Sequence, residues 1–311
     1  AKSSRLVLAA AGPFVRHSAK LLAACVAART HYVDITGEVV PYVMESVEQY
    51  DDAARRDGTK IVHCCGYDSV PSDLLSLLAI RALNEAGHAC ERVAVGFPLF
   101  DTRGPPSSGT LASALGMFAH LHARPERVLD AIDPQALVHP RPRRTAFELV
   151  SLFVTGGDMW WLPGWSSLLN SWHFAFVMAM VNTKIVRRSR ALLGDVPRHF
   201  EYTEVMACGN GFLGLVISLV STICLSAGGA ALSLPPIRAL SERLLPSGIG
   251  PGPLMQKYGR WSCQVVATGA GGAQAIGRVD AVAQDPGYLG TARMAAEAAL
   301  SVLEVVDLEE K

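Results

Sequence analysis

Short apolar runs alternate with longer amphipathic stretches over the first third of the chain. Leu6 to Ala11 is wholly apolar and ends at Gly12-Pro13, which is typical of a parallel strand buried on both faces. The stretch that follows repeats its apolar positions at helical spacing. Continued along the chain, this pattern predicts strands at 6–11, 32–35, 60–65 and 92–97, and helices at 18–28, 41–56 and 73–86. Alternating strands and helices predict an α/β fold with a mostly parallel sheet.

The alternation breaks at Pro98 to Pro106, where we place a domain boundary. Residues 1–97 then form a partial Rossmann-like domain, and residues 98–285 form a second α+β domain. Within the second domain, residues 260–268 and 274–283 alternate as an antiparallel hairpin does, with a glycine-rich turn between them. The amphipathic pattern in residues 286–311 predicts a C-terminal helix that packs back on the first domain.

The middle of the chain is unusually apolar. Residues 159–183 and 205–237 contain no Asp, Glu, Lys or Arg, and the first stretch holds four of the five tryptophans: Trp160, Trp161, Trp165 and Trp172. Leu213 to Leu232 is long enough to span a bilayer, although several serines and Gly228-Gly229 dilute the signal. We therefore predict an apolar helical insert at about 159–237. It could span a membrane, lie on its surface, or form a buried helical pair.

Charge and cysteine content exclude several classes of protein. The 28 basic and 28 acidic side chains give a formal net charge of zero, so no global basic field draws the protein to nucleic acid. The seven cysteines are odd in number and lack metal-ligand spacing. We expect reduced thiols and an intracellular protein without a bound metal.

One glycine motif matches a dinucleotide fingerprint in letters only. Gly209-Asn210-Gly211-Phe212-Leu213-Gly214 has the G-x-G-x-x-G spacing, but the next acidic residue is Glu242, too distant to hold a ribose. Close helix packing is the favoured interpretation of this motif.

Polar residues follow three of the predicted early strands, at 12–14, 34–38 and 66–73. Ligands of open α/β sheets bind outside the carboxyl ends of the strands, so these segments predict one shared crevice. Capping and turn formation are the alternative for each segment alone. The carboxylates exceed what capping requires: Asp34, Glu38, Asp68 and Asp73. The isolated histidines His17, His31 and His63 are interpreted as structural.

Several longer sequence segments resemble those of a known family. They are Ala11-Gly12-Pro13-Phe14, the segment Thr30 to Glu38, the segment Cys65 to Asp73, Ser108-Gly109-Thr110, and Asp285 to Tyr288 with Thr291-Ala292. In order and spacing they resemble the saccharopine dehydrogenase-like oxidoreductases, a group that includes mycobacterial trans-acting enoyl reductases. The resemblance runs over nearly the whole chain.

The resemblance implies a Rossmann-type nucleotide domain, a second α+β domain, NAD or NADP as cofactor, and hydride transfer. It also implies that family members carrying an apolar insert associate with intracellular membranes or lipid droplets. The family's first strand and its G-x-x-G-x-x-G turn have no counterpart here, and its C-terminal continuation is expected to be cut short. The expected fold is thus an incomplete Rossmann-type sheet with weakened or absent cofactor binding.

From this resemblance and the strand ends we assign candidate roles. Gly12, Pro13 and Phe14 are cofactor-binding candidates, and Tyr67 and Asp68 are catalytic candidates. The substrate-binding candidates are Asp34, Glu38, Asp73, Ser108, Gly109 and Thr110. The predicted function is an NAD(P)-dependent oxidoreductase that acts on a lipid or other hydrophobic substrate at a membrane, with homo-oligomers left open. The alternatives are a non-catalytic lipid-surface protein and a membrane-free soluble enzyme.

Overall fold

The computed structural model describes residues 3–101, 108–155, 161–197, 200–244 and 250–309, and the side chains of 152–155 lie outside this description. Its strands are β1 (Leu6–Ala9), β2 (His31–Asp34), β3 (Ile61–Val62), β4 (Cys90–Pro98), β5 (Gly164–Ser166), β6 (Ser171–Ala175), β7 (Glu201–Gly209), β8 (Arg260–Gly269) and β9 (Gln274–Val282). Its α-helices are α1 (Phe14–His17), α2 (Ala19–Ala27), α3 (Met44–Asp57), α4 (Val70–Glu85), α5 (Ser108–Ala123), α6 (Val128–Ile132), α7 (Ala146–Thr155), α8 (Ala179–Leu193), α9 (Gly211–Ser233), α10 (Pro235–Leu244), α11 (Pro253–Tyr258) and α12 (Thr291–Glu309).

The predicted parallel sheet is present and consists of β1, β2 and β3 in that order. Tyr32 and Val33 of the central strand are fully buried, as expected for a strand with helices on both faces. Leu22 of α2 lies in the core on one face, and Ala299 of α12 packs with Val33 on the other. The α/β fold class is therefore confirmed, and the C-terminal helix covers the first sheet.

The second sheet has six strands in the order β5-β6-β7-β4-β8-β9. Its central strand β4 runs parallel to β7 and antiparallel to β8. We expected residues 92–97 to extend the first sheet, and this expectation is wrong. An apolar run predicts a buried strand, but its partners are set by segments more than 100 residues away. A boundary at residues 97 and 98 therefore falls at the end of a strand that belongs with the later sheet.

The hairpin and the glycine motif both have defined structures. β8 and β9 pair in the predicted antiparallel register, from Arg260 opposite Val282 to Thr268 opposite Gln274. The glycine motif joins β7 to α9. A Cβ on Gly214 would collide with the carbonyl group of Gly209, so this glycine lets the helix pack closely on the strand end.

The apolar middle of the chain is not one helical insert. Between residues 164 and 209 it forms β5, β6, α8 and β7, three strands and a helix that complete the second sheet. The wrong element type arose because an uncharged stretch with many tryptophans does not distinguish buried strands from helices. Trp160 lies outside the described residues.

Helix α9 has the composition of a membrane-spanning helix, the one such helix in the described ranges. It has 23 residues, and only 11% of its most apolar window is buried. A buried helical pair is therefore not what this sequence forms. The indole nitrogen of Trp161 donates to the hydroxyl of Ser226, at 3.1 Å, and so attaches α9 to the segment before β5.

Candidate functional site

The carboxyl ends of β1, β2 and β3 lie next to one another. The backbone nitrogen of Cys65 after β3 donates to the carbonyl oxygen of Asp34 at the end of β2, at 2.8 Å. Glu38 after β2 contacts the turn after β1. The structure therefore brings together the three polar segments that the sequence places at strand ends.

The predicted cofactor turn Gly12-Pro13-Phe14 is bound by a carboxylate of the same chain. The two oxygens of Glu38 accept hydrogen bonds from the backbone nitrogens of Phe14 and Val15, both at 2.9 Å. Ser113 on α5 donates to Glu38 as well, at 2.7 Å. Free amides at a helix start favour an anion, and here Glu38 is that anion. Glu38, a predicted substrate-binding residue, thus occupies the backbone amides of this turn itself.

Asp34, the next predicted substrate-binding residue, is fully buried and orients a histidine. Its Oδ1 accepts from the backbone nitrogens of Thr36 and Cys64, both at 3.1 Å. Its Oδ2 lies 2.7 Å from Nδ1 of His63. With both oxygens used, Asp34 has a positioning role within the protein.

Asp68, a predicted catalytic residue, lies in the turn between β3 and α4 with a half-buried side chain. It accepts no hydrogen bond from any residue that the structure describes. Burial raises the pKa of Asp68 to about 6. A Cβ built on Gly37 would lie 3.5 Å from its Oδ2, so Asp68 reaches across to the end of β2. An unpartnered carboxyl with a raised pKa beside two strand ends is a candidate acid.

Tyr67, the other predicted catalytic residue, packs in an aromatic cluster. Its ring meets Trp261 edge-on with centroids 5.1 Å apart and Phe97 with centroids 6.1 Å apart. Its backbone nitrogen donates to the hydroxyl of Thr291 at 3.2 Å. These contacts give Tyr67 a packing role between the second sheet and the start of α12.

Asp73 connects two helices. On α4, it accepts a hydrogen bond from Ser189 at 2.8 Å and pairs with Arg190 at 3.5 Å, both on α8. Arg190 is buried and also pairs with Asp195 at 2.7 Å. The ion pairs explain Asp73 as a structural residue, although it also lines a large cavity.

Ser108, Gly109 and Thr110 form the first turn of α5, and Gly109 and Thr110 are exposed. The residue of this helix that reaches the strand ends lies one turn later. It is Ser113, whose hydroxyl contacts Glu38 and would lie 3.5 Å from a Cβ on Gly12. The predicted residues and Ser113 thus lie on the same helix, about one turn apart.

A buried polar network lies behind Asp68 and was missed by sequence reasoning. Glu204 on β7 is fully buried and accepts hydrogen bonds from Asn182 at 2.6 Å, Tyr202 at 2.8 Å and Ser72 at 3.0 Å. Burial raises the pKa of Glu204 to about 7, the three hydrogen bonds oppose the rise, and the charge of Asp68 adds to it. The two carboxyls therefore interact, and both titrate near neutral pH.

A cavity of about 960 Å³ lies beside β3, between α3, α8 and α12. Its wall is largely apolar and includes Val43, Val47, Leu137, Ile185, Leu192 and Met294. Ser46, His63 and Arg188 contribute polar groups. Of the predicted site residues, Asp73 alone is among the residues that line this cavity.

The strand ends suit a nicotinamide ring better than they suit phosphates. Gly12 is exposed and Gly37 is half-buried beside Asp68, so neither position places a side chain of its own in the way of a flat ring. A cofactor pyrophosphate would have no free backbone amides at this turn, because Glu38 already accepts hydrogen bonds from the amides of Phe14 and Val15. The described residues could thus contribute to the nicotinamide end of a cofactor site.

The residues missed in the sequence carry little local signal. Ser46 lies in the middle of a predicted helix, and Glu204 lies in a strand without any motif around it. His63 was interpreted as structural, and the structure hydrogen-bonds it to Asp34 and Ser46. The one available signal was positional, since His63 directly follows an apolar strand run as Asp34 does.

Comparison with known proteins gives mycobacterial relatives. No family model matches the chain. A protein of Mycobacterium tuberculosis strain H37Rv, whose name describes it as a trans-acting enoyl reductase, is 32% identical over 97% of this chain and 72% of its own length. The trans-acting enoyl reductase of Mycobacterium ulcerans is 31% identical over 95% of this chain and 72% of its own length. Amine dehydrogenase from Mycobacterium smegmatis, a solved structure, superposes on 94% of this chain and 70% of its own, with a TM-score of 0.33 and 13% identity. That likeness supports no argument here.

Proposed function

This chain belongs to the family of the trans-acting enoyl reductases, and on that premise we propose that it is an oxidoreductase that reduces an α,β-unsaturated acyl group with NADH or NADPH. The resemblance to saccharopine dehydrogenase-like oxidoreductases supports the same class of hydride transfer. The observation that carries the proposal is the position of Asp68. This carboxyl stands without a partner among the described residues, at the meeting point of the β2 and β3 ends.

The chemistry needs an acid as well as a hydride. When bound, a nicotinamide would supply the hydride for the β-carbon of the enoyl group. The enolate that remains must gain a proton at its α-carbon, and we assign this proton to Asp68. With a pKa of about 6, part of the Asp68 population is protonated at neutral pH. The pKa of Glu204, raised by burial to about 7, is coupled to the charge of Asp68.

We propose that the substrate is hydrophobic and is met at an intracellular membrane or lipid-droplet surface. Helix α9 supports this part because its apolar side chains face away from the protein: Phe212 is 81% exposed, Leu213 69% and Ile223 67%. A soluble protein rarely leaves such a continuous apolar surface without a partner. The acyl chain of a lipid substrate would then partition near the site before binding.

Titration of the full chain with NADH and NADPH, followed by nicotinamide fluorescence, tests the cofactor part. Turnover of a 2-decenoyl thioester in the presence of either dinucleotide tests the reaction. We expect Asp68→Asn to lower the reduction rate about 100-fold while dinucleotide binding is retained. The control is Asp280→Asn, which changes an exposed carboxylate on β9 and should leave the rate unchanged. The wild-type rate should fall as the pH rises through 6.

Absence of a fluorescence change with both dinucleotides would reject the reductase. The second candidate would then stand, a lipid-surface protein that retains the fold without binding a cofactor. The observation that favours it is the Glu38 carboxylate, which fills the amides of the turn after β1. It predicts liposome binding with no dinucleotide binding.

A further inference from the structure

Three side chains form a hydrogen-bonded series on the wall of the large cavity. Oδ2 of Asp34 lies 2.7 Å from Nδ1 of His63, and Nε2 of His63 lies 2.7 Å from the hydroxyl oxygen of Ser46. We propose that Ser46, His63 and Asp34 form a second catalytic site, an acyl-transfer centre with Ser46 as nucleophile. The site is separate from the proposed reductase chemistry and uses no cofactor.

The hydrogen bonds around Asp34 determine which ring nitrogen of His63 donates and which accepts. Asp34 has its Oδ1 occupied by two backbone amides, and its Oδ2 faces the imidazole. A carboxylate can only accept, so Nδ1 of His63 carries a hydrogen and donates it to Asp34. Nε2 is then the acceptor, and the hydroxyl of Ser46 donates to it. This is the protonation pattern that a serine nucleophile and its base require.

The imidazole is held in place by its neighbours. The rings of Tyr32 and Tyr42 meet His63 edge-on, with centroid distances of 5.9 and 5.4 Å. The side chain of His63 is only 7% exposed. A base that cannot rotate keeps Nε2 on the serine, which is the condition for efficient proton transfer.

A sheet edge without a further strand lies on the same wall. In the described sheet, β3 pairs only with β2, so its other edge has no strand partner. Residues 61–63 line the cavity along that edge. Amide N–H groups on a free strand edge can stabilise the oxyanion that forms when a serine attacks a carbonyl.

The cavity defines the class of substrate. Its volume of about 960 Å³ suits a ligand of drug size or larger, and its wall is mostly aliphatic. Arg188 lines it with a half-buried guanidinium whose described polar contact is the carbonyl oxygen of Leu137, at 3.0 Å. The ligand we infer is an ester or thioester with an apolar acyl chain and a polar or anionic leaving group.

The reaction balances with water as the second substrate. The Ser46 oxygen attacks the acyl carbonyl carbon while its proton passes to Nε2 of His63. The carbon–oxygen or carbon–sulfur bond to the leaving group then breaks, and His63 protonates the departing alkoxide or thiolate. Water, deprotonated by His63, attacks the acyl-serine, which releases the carboxylic acid and returns the proton to Ser46.

An active-site-directed fluorophosphonate tests the proposal on the full chain. We expect one phosphonyl adduct, located on Ser46 by mass spectrometry of the proteolysed wild-type protein, which needs no variant. Ser46→Ala should lose the adduct, and His63→Gln should slow labelling at least about 100-fold. Ser241→Ala is the matched control, since this serine on α10 bonds only within its own helix, is not among the residues that line the cavity, and should leave labelling unchanged.

Hydrolysis of p-nitrophenyl decanoate by the wild-type chain gives a second readout, with a burst of nitrophenolate before the steady state. Wild-type protein that carries no adduct on Ser46, or His63→Gln protein that labels at the wild-type rate, would overturn the proposal. Dinucleotide binding is measured separately, so its failure would not be confused with failure of this site.

Discussion

The amide nitrogen of Asn182 lies 2.6 Å from the carboxylate of Glu204, a hydrogen bond that joins α8 to β7 in the middle of the protein. None of the described ion pairs includes Glu204. The carboxyl is therefore stabilised by neutral donors alone. The free-energy cost of ionising it in the folded protein depends on pH. This dependence leads to the first prediction.

Glu204→Gln should make stability less sensitive to pH between 4.5 and 7. Burial raises the pKa of Glu204 to about 7 in the folded protein, so the folded state holds more protons than the unfolded state over that range. Wild-type stability contributed by this group is complete below pH 4.5 and is lost as the pH rises through 7. The variant should gain on the order of 2–3 kcal/mol relative to wild type between pH 4.5 and 8.

Urea denaturation of both proteins at pH 4.5, 6 and 8 measures this change. Glu201→Gln is the control, because Glu201 lies on the same strand, is exposed, and pairs with Arg92. A stability difference between Glu204→Gln and wild type that stays constant with pH would show that Glu204 does not titrate in this range.

For Lys184→Met we expect the opposite pH dependence: the stability of the wild-type protein relative to the variant should rise with pH. Burial lowers the pKa of Lys184 to about 7, and its ammonium donates to the carbonyl oxygens of Met180 and Ala131 at 2.6 and 2.7 Å. The unfolded state binds more protons between pH 7 and 10, so wild-type stability should rise with pH there. Relative to Lys184→Met, the rise should be on the order of 3 kcal/mol.

Denaturation at pH 7, 8.5 and 10 detects this rise, because groups common to both proteins cancel in the difference. The exposed Lys20 supplies the control variant Lys20→Met. Parallel stability curves for wild type and Lys184→Met would contradict a lowered pKa.

Glu38→Gln should destabilise the protein by about 2 kcal/mol. The carboxylate accepts from the amides of Phe14 and Val15 and from Ser113, and an amide side chain can accept through only one of its two terminal atoms. The free energy of unfolding in urea measures the loss. Glu45→Gln removes an exposed partner of Arg124 and should cost under about 1 kcal/mol. Equal effects of the two substitutions would exclude a special role for Glu38.

The double variant Val220→Glu with Ile223→Glu should abolish binding to phosphatidylcholine vesicles. Both side chains project from α9 and are more than half exposed, so the changes leave the protein core intact. Flotation of wild-type protein with vesicles should persist in roughly 1 M salt, because apolar contacts are not screened. Leu308→Glu on α12, a residue 70% exposed, is the matched control. Undiminished flotation of the double variant would place membrane contact elsewhere.

The first sheet could be predicted from the sequence, whereas the assignment of β4 could not. β1 and β2 are apolar runs followed by turn residues, a pattern that few other structures share. The same pattern in β4 left its partners undetermined, since β7 and β8 come from far along the chain. Hydrophobic periodicity reports burial, and pairing is decided by contacts that only the folded chain makes.

The site shows the same division between local and distant information. The strand ends predicted that Glu38, Asp34 and Asp68 lie near one another, because adjacent parallel strands must end at one edge. The contacts of those residues were not predictable. Ser46 meets His63 from a helix seventeen positions earlier, and neither residue has a motif around it. Ser113 likewise reaches Glu38 from a helix 75 positions away.

Helix α12 packs on the first sheet although it lies far from these strands in the sequence. It covers Val33 with Ala299, pairs Lys60 with Glu309 at 2.8 Å, and its Thr291 accepts the amide hydrogen of Tyr67. A ribosome makes the three parallel strands well before this helix. One face of the first sheet therefore stays exposed to water until residues 291–309 have been made, and the strands of this sheet cannot reach their native state before then. A chain terminated before residue 291 would leave this apolar face of the sheet exposed. We expect such a product to aggregate and to be cleaved by proteases, and not to function as a shorter protein.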